Sequence, residues 1–382
     1  MVNIEAIRNI LTLRYDPHGP TSLPKLNPKD FIEYGGIAGL VPNLLEGSVK
    51  KVIQANTPRK IGVGISGGVD STTVLSILRK CFPKLEINTF CVTFGEDDRE
   101  VKDAEHVAEL YSTNHKHVVI EDPSADLKEQ VSIINEPRWN LYPYYLFSAV
   151  SKSCDILITG DGGDELFGGY VFRYSYFLHN STEPLMRRYL EAHNRDWVED
   201  QTDLFAFPFN WNDIFSLLKP YFENQLTLLG KVFLADYNGK LLYDFARTNA
   251  AFSKHFGLKV AAPMLEPEVL HVATHIPYNL KYDEKNNLGK VLLRQILLEN
   301  SGYKPATKVK IGWGMNIVEM WDKHFKDVCL SLFDSPRFVE QGIINKQWIP
   351  KGFKKADEHD PRYISKMLGL LALEMWLKVK GL

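Results

Sequence analysis

Between residues 58 and 160 the chain alternates short apolar runs with segments of helical periodicity. Ile61 to Ile65 (IGVGI) is a short apolar run, which is typical of a buried parallel strand. After a glycine turn, residues 71 to 81 carry apolar side chains at offsets 0, 3, 4 and 7, namely Val74, Ile77, Leu78 and Cys81. This spacing predicts a helix with one buried face.

The same alternation continues along the chain. Further apolar runs predict strands at Ile87 to Phe94, His117 to Ile120 and Ile156 to Thr159. Other helices are predicted at residues 45–55, 100–110, 124–134 and 142–152. Strands and helices at this spacing predict an α/β fold, an open parallel sheet with helices on both faces. Ligands of such sheets bind at the carboxyl ends of the strands.

The pattern differs on either side of this region. Residues 17 to 44 are rich in Pro and Gly and predict an irregular lead-in. Beyond about residue 172 the strand signals stop, and Leu-rich and aromatic segments predict a mostly helical part with an aromatic core. We therefore divide the chain into a lead-in (1–57), an α/β part (58–172) and a mostly helical part (173–382).

Composition and charge narrow the class of protein. The 45 basic and 47 acidic residues nearly cancel, so no overall field attracts nucleic acid or a membrane surface. No apolar run reaches the roughly 18 residues of a membrane span, and the N-terminus lacks the shape of a signal peptide. The four cysteines form no CxxC pair and are expected to be core residues in a reducing compartment. We expect a soluble, cytoplasmic protein, with homo-oligomerisation left open.

The first motif that carries chemistry is SGGVDS, residues 66–71, between the first strand and its helix. Two glycines let the backbone approach an anion, and the N-terminus of the helix adds partial positive charge. The hydroxyls of Ser66, Ser71 and Thr72 supply further donors to a phosphate. Asp70 suits the Mg²⁺ that accompanies a nucleotide. The alternative is a simple capped turn, and no Walker signature is present.

The second motif is GDGGDELFGGY, residues 160–170, at the end of the fourth predicted strand. Three acidic residues among five glycines are incompatible with an ordinary helix or strand. Such a loop brings carboxylates to the ligand edge of the sheet, where metal binding and contact with a substrate amine are natural roles. The alternative is a flexible acidic surface loop.

The two motifs together resemble a known family. SGGVDS resembles the pyrophosphate loop of ATP-pyrophosphatases, which split ATP between the α and β phosphates. With GDGGDELFGGY about 90 residues later, the chain is similar to the synthetase domain of glutamine-hydrolysing asparagine synthetases, and more widely to β-lactam synthetase and lasso-peptide cyclases. The resemblance runs from about residue 40 to about 330 and is weaker after Gly169. It implies an adenine nucleotide α hydrolase-like sheet within an asparagine synthetase-like domain over 58–382, and an amide synthetase that uses ATP, Mg²⁺, a carboxylic acid (by default aspartate) and ammonia.

The resemblance also implies roles for single residues. The positions that match the ATP and pyrophosphate site are Ile65, Ser66, Gly67, Gly68, Val69, Asp70, Ser71, Thr72, Val92 and Gly160. Asp70 and Asp164 match metal ligands, and Asp161 matches the acidic position near the amino acid and the attacking ammonia. The segment DFARTN resembles the family's DxARxN, which makes Asp244 and Arg247 catalytic candidates. Lys310 resembles the lysine beside the α-phosphate.

Two departures from the family pattern affect the predicted substrates. Family members begin with a glutaminase domain whose cysteine follows Met1, whereas Val2 follows it here and only about 60 residues precede the phosphate loop. We therefore expect free ammonia, another amine, or nitrogen from a separate glutaminase subunit. Lys259 and Ala261 replace the Glu and Arg of the family's EVRxPFLD segment. If that pair is structural, a local repacking suffices. If it lines the acid pocket, the acid need not be aspartate.

Three other functions stay open at this stage. One is a ligase on the same scaffold that joins a different acid and amine. Another is a tRNA-thiolating pyrophosphatase, although neither paired cysteines nor a basic RNA-binding surface is evident. The last is a non-catalytic nucleotide-binding regulator, which the intact acidic residues of both motifs disfavour.

Overall fold

The computed structural model describes residues 2–94, 99–180, 182–193, 196–305 and 316–382. Within these ranges five strands form one parallel sheet in the order β3-β2-β1-β4-β5. The strands are β1 (Ile61–Gly64), β2 (Ile87–Thr93), β3 (Asn114–Val119), β4 (Ile156–Ile158) and β5 (Lys259–Ala261). The predicted open parallel α/β sheet is confirmed, and the first four strands fall where the apolar runs placed them.

Helices pack around the sheet and make up most of the second half of the chain, as predicted. In the described residues they are α1 (Ile4–Leu13), α2 (Val41–Asn56), α3 (Val69–Cys81), α4 (Arg99–Leu110), α5 (Leu127–Ile134), α6 (Pro143–Ser151), α7 (Gly163–Phe167), α8 (Val171–His179), α9 (Leu185–Ala192), α10 (Gln201–Leu204), α11 (Trp211–Phe222), α12 (Leu228–Asp236), α13 (Ala246–Phe256), α14 (Pro267–His275), α15 (Val291–Ser301), α16 (Ile317–Met320), α17 (Lys326–Leu332), α18 (Arg337–Glu340), α19 (Trp348–Asp357) and α20 (Pro361–Lys380). Two π-helical segments, Tyr237–Phe245 and Trp321–Phe325, join neighbouring helices. A short hairpin of β6 (Tyr282–Asp283) and β7 (Leu288–Gly289) precedes α15.

The central strand, β1, is in close contact with helix α6. A Cβ on Gly62 would lie 2.5 Å from Cγ1 of Val150, and a Cβ on Gly64 would lie 2.6 Å from Cδ2 of Leu146. Glycine at both positions therefore lets the helix pack directly on the strand backbone. This packing determines where the end of β1, and the motif that follows it, lies relative to α6.

The fifth strand corrects the prediction that strand signals stop beyond residue 172. Lys259–Ala261 pairs in parallel with β4, and the N–H of Thr159 donates to the carbonyl of Ala261 at 2.9 Å. The strand has only three residues and begins with an exposed lysine. Such a segment has no apolar run or alternation long enough to predict a strand.

The N-terminal segment is packed against the end of the chain. The ammonium of Lys366 in α20 donates to the carbonyl of Leu11 at 2.8 Å, and Gly369 lies against the side chain of Leu11. Helix α1 is thus part of the packed structure, although it precedes the irregular segment. Among the residues that the structure describes, no helix combines the length and the apolar composition needed to cross a bilayer.

Candidate active site

The two glycine-rich motifs follow adjacent strands, β1 and β4, and their backbones touch at the carboxyl edge of the sheet. A Cβ on Gly160 would lie 2.8 Å from the carbonyl carbon of Asp70 and 2.8 Å from the amide nitrogen of Ser71. A Cβ on Gly163 would lie 2.3 Å from Oδ1 of Asp70. The second motif was expected to contain no helix, but its residues Gly163–Phe167 form the short helix α7. Its glycines allow the two motifs to pack together without a side chain between them.

The first motif turns directly into helix α3. Gly67 has a φ of +68°, a left-handed conformation that favours glycine, and a Cβ there would lie 2.5 Å from Cβ of Asp103. Gly68 is the N-cap, and its carbonyl accepts the N–H of Thr72 at 3.2 Å. Because a glycine supplies no capping side chain, the N-terminus of α3 is suited to bind an anion.

Asp70 and Asp164, one from each motif, converge on the ammonium of Lys290. The Nζ atom of Lys290 lies 2.6 Å from Oδ1 of Asp164 and also contacts Oδ2 of Asp70. Lys290 follows β7, has a φ of +59°, and is only 5% exposed. The two carboxylates are therefore close enough to share one cation.

A cleft of about 290 Å³ opens in front of the two motifs. The predicted site residues that line it are Ile65, Ser66, Gly68, Asp70, Ser71, Val92, Gly160, Asp161 and Asp164. Gly67, Val69 and Thr72 belong to the same loop and helix but do not line the cleft. Aromatic and aliphatic side chains, Phe90, Tyr142, Pro143 and Leu146, complete one wall. This wall suits a planar, largely apolar group such as a nucleobase.

The carboxylate of Asp161 is held in a defined orientation on the cleft wall. Its Oδ2 atom accepts hydrogen bonds from Oγ1 of Thr159 at 2.7 Å and from Nδ2 of Asn249 at 2.6 Å. Asn249 is the last residue of the DFARTN segment and also lines the cleft. Within that segment it is Asn249 that connects helix α13 to the second motif.

Asp244 and Arg247 lie elsewhere, in a network of ion pairs beside the cleft. Asp244 Oδ1 is 2.5 Å from Nη1 of Arg138, and Nε of Arg138 is 2.9 Å from Glu136. The other oxygen of Glu136 is 2.5 Å from Arg247. Neither Asp244 nor Arg247 is among the cleft-lining residues. Both side chains are thus held by ion pairs through Arg138 and Glu136.

Glu165, the third acid of the second motif, has an unusual environment. It is 2% exposed and accepts the hydroxyl of Tyr170 at 2.5 Å. Burial, and then the charge of Asp164, raises the pKa of Glu165 to about 8. At neutral pH this side chain is therefore mostly protonated, and it adds little negative charge to the cleft.

Lys310, Lys259 and Ala261 are the remaining residues that the sequence singled out. Lys310 lies outside the described residues. Lys259 is exposed on the edge strand β5, and Ala261 lies two residues further along it. Neither Lys259 nor Ala261 lines the cleft.

A comparison with protein families decides the family of this chain. The family model described as asparagine synthase matches residues 40–378, which include both motifs and the residues that line the cleft from β1 to α13. The chain belongs to the asparagine synthase family. The predicted resemblance is thus confirmed, and membership of the asparagine synthase family supports an ATP-dependent ligase.

Individual relatives are distant and longer than this chain. A protein of Methanocaldococcus jannaschii, provisionally named a glutamine-hydrolysing asparagine synthetase, is 30% identical over 159 residues, which is 40% of this chain and 29% of that protein. The asparagine synthetase of Gallus gallus is 28% identical over 269 residues, 66% of this chain and 38% of that protein. The matches thus span well under half the length of these relatives. The NAD⁺ synthetase of Burkholderia pseudomallei aligns over 67% of this chain and 95% of its own at 14% identity, with a TM-score of 0.25.

Sequence reasoning missed three residues of this asparagine synthase family site, Lys240, Asn249 and Lys290. Asn249 could have been predicted, because it lies in the DFARTN segment, from which only Asp244 and Arg247 were taken as catalytic candidates. Lys240 and Lys290 are single lysines in a helical part of the chain and belong to no motif that we recognised. Only the fold brings them to the two loops.

Proposed function

We propose that this chain is an Mg²⁺- and ATP-dependent amide synthetase. A carboxylate oxygen of the acid attacks the α-phosphorus of ATP, pyrophosphate leaves, and an acyl-adenylate forms. An amine, by default ammonia, then attacks the acyl carbon, loses a proton and expels AMP. The acid proposed first is the side chain of aspartate, so that the product is asparagine. The observation that carries the proposal is the contact between the two motifs, each of which contributes one carboxylate to the same ammonium.

At the phosphate end of the cleft, the chain supplies positive charge and N–H donors. Residues 66–71 and the N-terminus of α3 bind the departing pyrophosphate. Lys290, whose ammonium contacts Asp70 of that loop, offsets negative charge as the pyrophosphate separates. A similar role for Lys310 remains a prediction from the family resemblance.

Asp70 and Asp164 are the residues that would hold Mg²⁺. Both offer carboxylate oxygens, the ligands that Mg²⁺ prefers, and both contact one cation, the ammonium of Lys290. A Cβ on Gly169 would lie 1.8 Å from Oδ1 of Asp164, so the glycine leaves space at this carboxylate. The arrangement fits a divalent cation, which when bound would neutralise charge on the phosphates.

On the cleft wall, Asp161 is oriented to accept hydrogen bonds from an amino group. Asn249 and Thr159 both donate to the same oxygen, Oδ2, and so hold the carboxylate in one orientation. Asp161 would bind the ammonium of an amino-acid substrate or the attacking amine. The contribution of these residues is positioning, because the adenylate itself is already activated.

ATP–pyrophosphate exchange tests the proposal. The purified chain is incubated with Mg²⁺, ATP and labelled pyrophosphate across a panel of amino acids and other carboxylic acids, with ammonia withheld. Exchange that depends on aspartate supports adenylation of that acid. Exchange with a different acid keeps the mechanism and replaces the substrate, which is the rival ligase. Absence of exchange with every acid, despite measurable ATP binding, refutes a free-standing synthetase and favours a nucleotide-binding regulator.

A further inference from the structure

A second, smaller cavity beside the cleft is lined by three basic side chains. It has a volume of about 20 Å³ and is bounded by helices α1 and α20 and by residues 137–140. The basic side chains are Arg14, Arg138 and Lys366, and the ring of Trp139 contributes an apolar wall. Since roughly 10–15 Å³ is enough for one water molecule, the cavity has room for a single small ligand.

The basic groups around this cavity have N–H donors that are not used. An ammonium has three donors, and that of Lys366 donates to the carbonyls of Leu11 at 2.8 Å and Asp196 at 3.0 Å. The Nη2 atoms of Arg14 and Arg138 are buried and form no hydrogen bond with any residue in the described ranges. Buried donors without an acceptor are costly. A ligand that accepts hydrogen bonds would remove this cost.

The charges around the cavity leave one positive charge unbalanced. Arg138 belongs to the network of two arginines and two acids beside the cleft, in which the charges cancel. Arg14 and Lys366 have a single acid between them in the cavity wall, Asp196. The Oδ1 atom of Asp196 lies 2.7 Å from Nε of Arg14, so this carboxylate is already paired. With Lys366 charged, the wall therefore carries a net charge that one monovalent anion would neutralise.

We propose that this cavity binds one small monovalent anion of the size of chloride. Its volume accommodates a single atom of that size, but not the several atoms of a phosphate or a carboxylic acid. The free N–H groups of the two arginines and the lysine would donate to the anion. Arg14 and Asn140 line both this cavity and the cleft. The bound anion would therefore hold this part of the cleft wall against α1 and α20.

The affinity for the anion should depend on pH through Lys366. Burial lowers the pKa of its ammonium to about 7, while Asp196 and Asp200 favour the charged form and Arg14 opposes it. Asp200 is itself paired with Lys351 at 2.7 Å. Above the pKa the amine is neutral, and the unbalanced positive charge disappears. The anion should thus bind more tightly at about pH 6 than at about pH 9.

Thermal unfolding in two salts tests the inference. Wild type, Lys366→Met and Arg14→Gln are compared in potassium chloride and in potassium gluconate, whose anion is too large for the cavity, at the same ionic strength of about 0.2 M. Lys281→Met is the matched control. Lys281 is also a buried lysine whose pKa is lowered to about 7, but it does not line this cavity.

For wild type at about pH 6 we expect chloride to raise the Tm by about 2 °C or more relative to gluconate, because the anion binds only the folded state. Lys281→Met should show the same rise, whereas Lys366→Met and Arg14→Gln should lose it. In wild type the rise should shrink towards about pH 9. Equal Tm values of wild type in the two salts would overturn the inference, as would a rise that both cavity variants retain.

Bromide gives a direct measurement on the wild-type protein, which decides the matter even where a variant fails to fold. Crystals soaked in bromide should show an anomalous scattering peak inside the cavity, between Lys366 and Arg14. Bromide bound only at the protein surface would overturn the inference. Neither experiment uses ATP or an acid substrate, so the outcome for the anion site is independent of the proposed synthetase activity.

Discussion

Lys290 and Asp164 form an ion pair of 2.6 Å at the junction of the two motifs, and the lysine side chain is 6% exposed. The same ammonium contacts Asp70 from the phosphate loop. Two partly buried carboxylates repel each other unless a cation lies between them. Lys290 therefore lets both acids lie close together at the junction of the two motifs.

Replacement of Lys290 should destabilise the metal-free protein. Lys290→Met leaves two carboxylates without their shared ammonium, which should lower the free energy of unfolding by about 3 kcal/mol. Mg²⁺ should restore part of that loss, because it binds the folded state. Thermal unfolding with and without MgCl₂ measures both effects. Lys323→Met, which removes an exposed i,i+4 pair with Glu319, is the control, and identical unfolding curves for the two variants would contradict the prediction.

Asp70 and Asp164 should be essential for turnover but not for folding. Asp70→Asn and Asp164→Asn should each lower the rate of pyrophosphate exchange by about 1000-fold or more, since each removes a charge from the proposed metal site. Circular dichroism should remain close to that of wild type. Full activity in either variant would remove that residue from the metal assignment.

Substitution of Asn249 should change the kinetic constants for the acid and the amine, but not the KM for ATP. Asn249→Ala removes the 2.6 Å hydrogen bond to Asp161 and keeps the one from Thr159. We expect kcat/KM for the acid or amine to fall about 10- to 100-fold through loss of positioning, with an unchanged KM for ATP. Asn249→Asp should lower kcat/KM for the acid or amine further, because it places a second carboxylate beside Asp161. A parallel rise in KM for ATP would indicate a general disturbance of the site instead.

Contact between the two loops should depend on Gly160. A Cβ at this position would lie 2.8 Å from backbone atoms of Asp70 and Ser71, so Gly160→Ala must separate the loops. We expect a loss of about 2 kcal/mol in unfolding free energy, as in other overpacked sites, together with weaker ATP binding. Gly47→Ala is the matched control, because nothing lies within 4 Å of its Cβ and alanine favours its helix by about 0.5–1 kcal/mol. Equal ATP affinity in the two variants would argue against this role of Gly160.

Lys281 should make stability depend on pH. It is 0% exposed, and burial lowers the pKa of its ammonium from 10.5 to about 7. The unfolded chain therefore binds more protons between these pH values, so stability should rise as pH increases from about 7 towards 10.5. Below pH 7 the buried side chain is charged, and the full free-energy cost of burying that charge is present. Lys281→Met should therefore be more stable than wild type by about 2 kcal/mol.

That difference should shrink as pH rises, which thermal unfolding between about pH 6 and pH 9 measures. Lys366→Met is the contrasting variant. Burial lowers the pKa of Lys366 to about 7 as well, but its ammonium donates to the carbonyls of Leu11 and Asp196. Loss of those hydrogen bonds should destabilise the protein. A pH-independent difference between Lys281→Met and wild type would rule out a buried titrating amine.

Local signals explain how much of the fold could be predicted. Strands β1, β2 and β4 are apolar runs whose burial is visible in the sequence, and β1 and β4 each precede a glycine-rich motif at the ligand edge. β5 could not be predicted, because three residues that begin with an exposed lysine have no periodicity. The strand exists because its backbone completes hydrogen bonds along the edge of β4, which is a tertiary effect.

The residues of the site likewise divide into those that local sequence signals predict and those that they do not. The two motifs, and with them Asp70, Asp161 and Asp164 in one cleft, were predicted because glycine spacing and strand ends are local features. The sequence did not predict that Lys290 lies between two of these acids. It also did not predict that Asp244 pairs with Arg138 beside the cleft.

The sequence by itself therefore determined the first four strands of the sheet and the two glycine-rich motifs that follow β1 and β4. Each depends on backbone conformation and charge within about ten neighbouring residues, and such information is local. Only the tertiary structure decided which cationic side chains contact those motifs and which acidic side chains form ion pairs outside them. Lys240, Asn249 and Lys290 come from segments far along the chain, and their positions follow from how helices pack on the sheet. Electrostatic partners act over a few ångströms of space, whatever their separation in sequence.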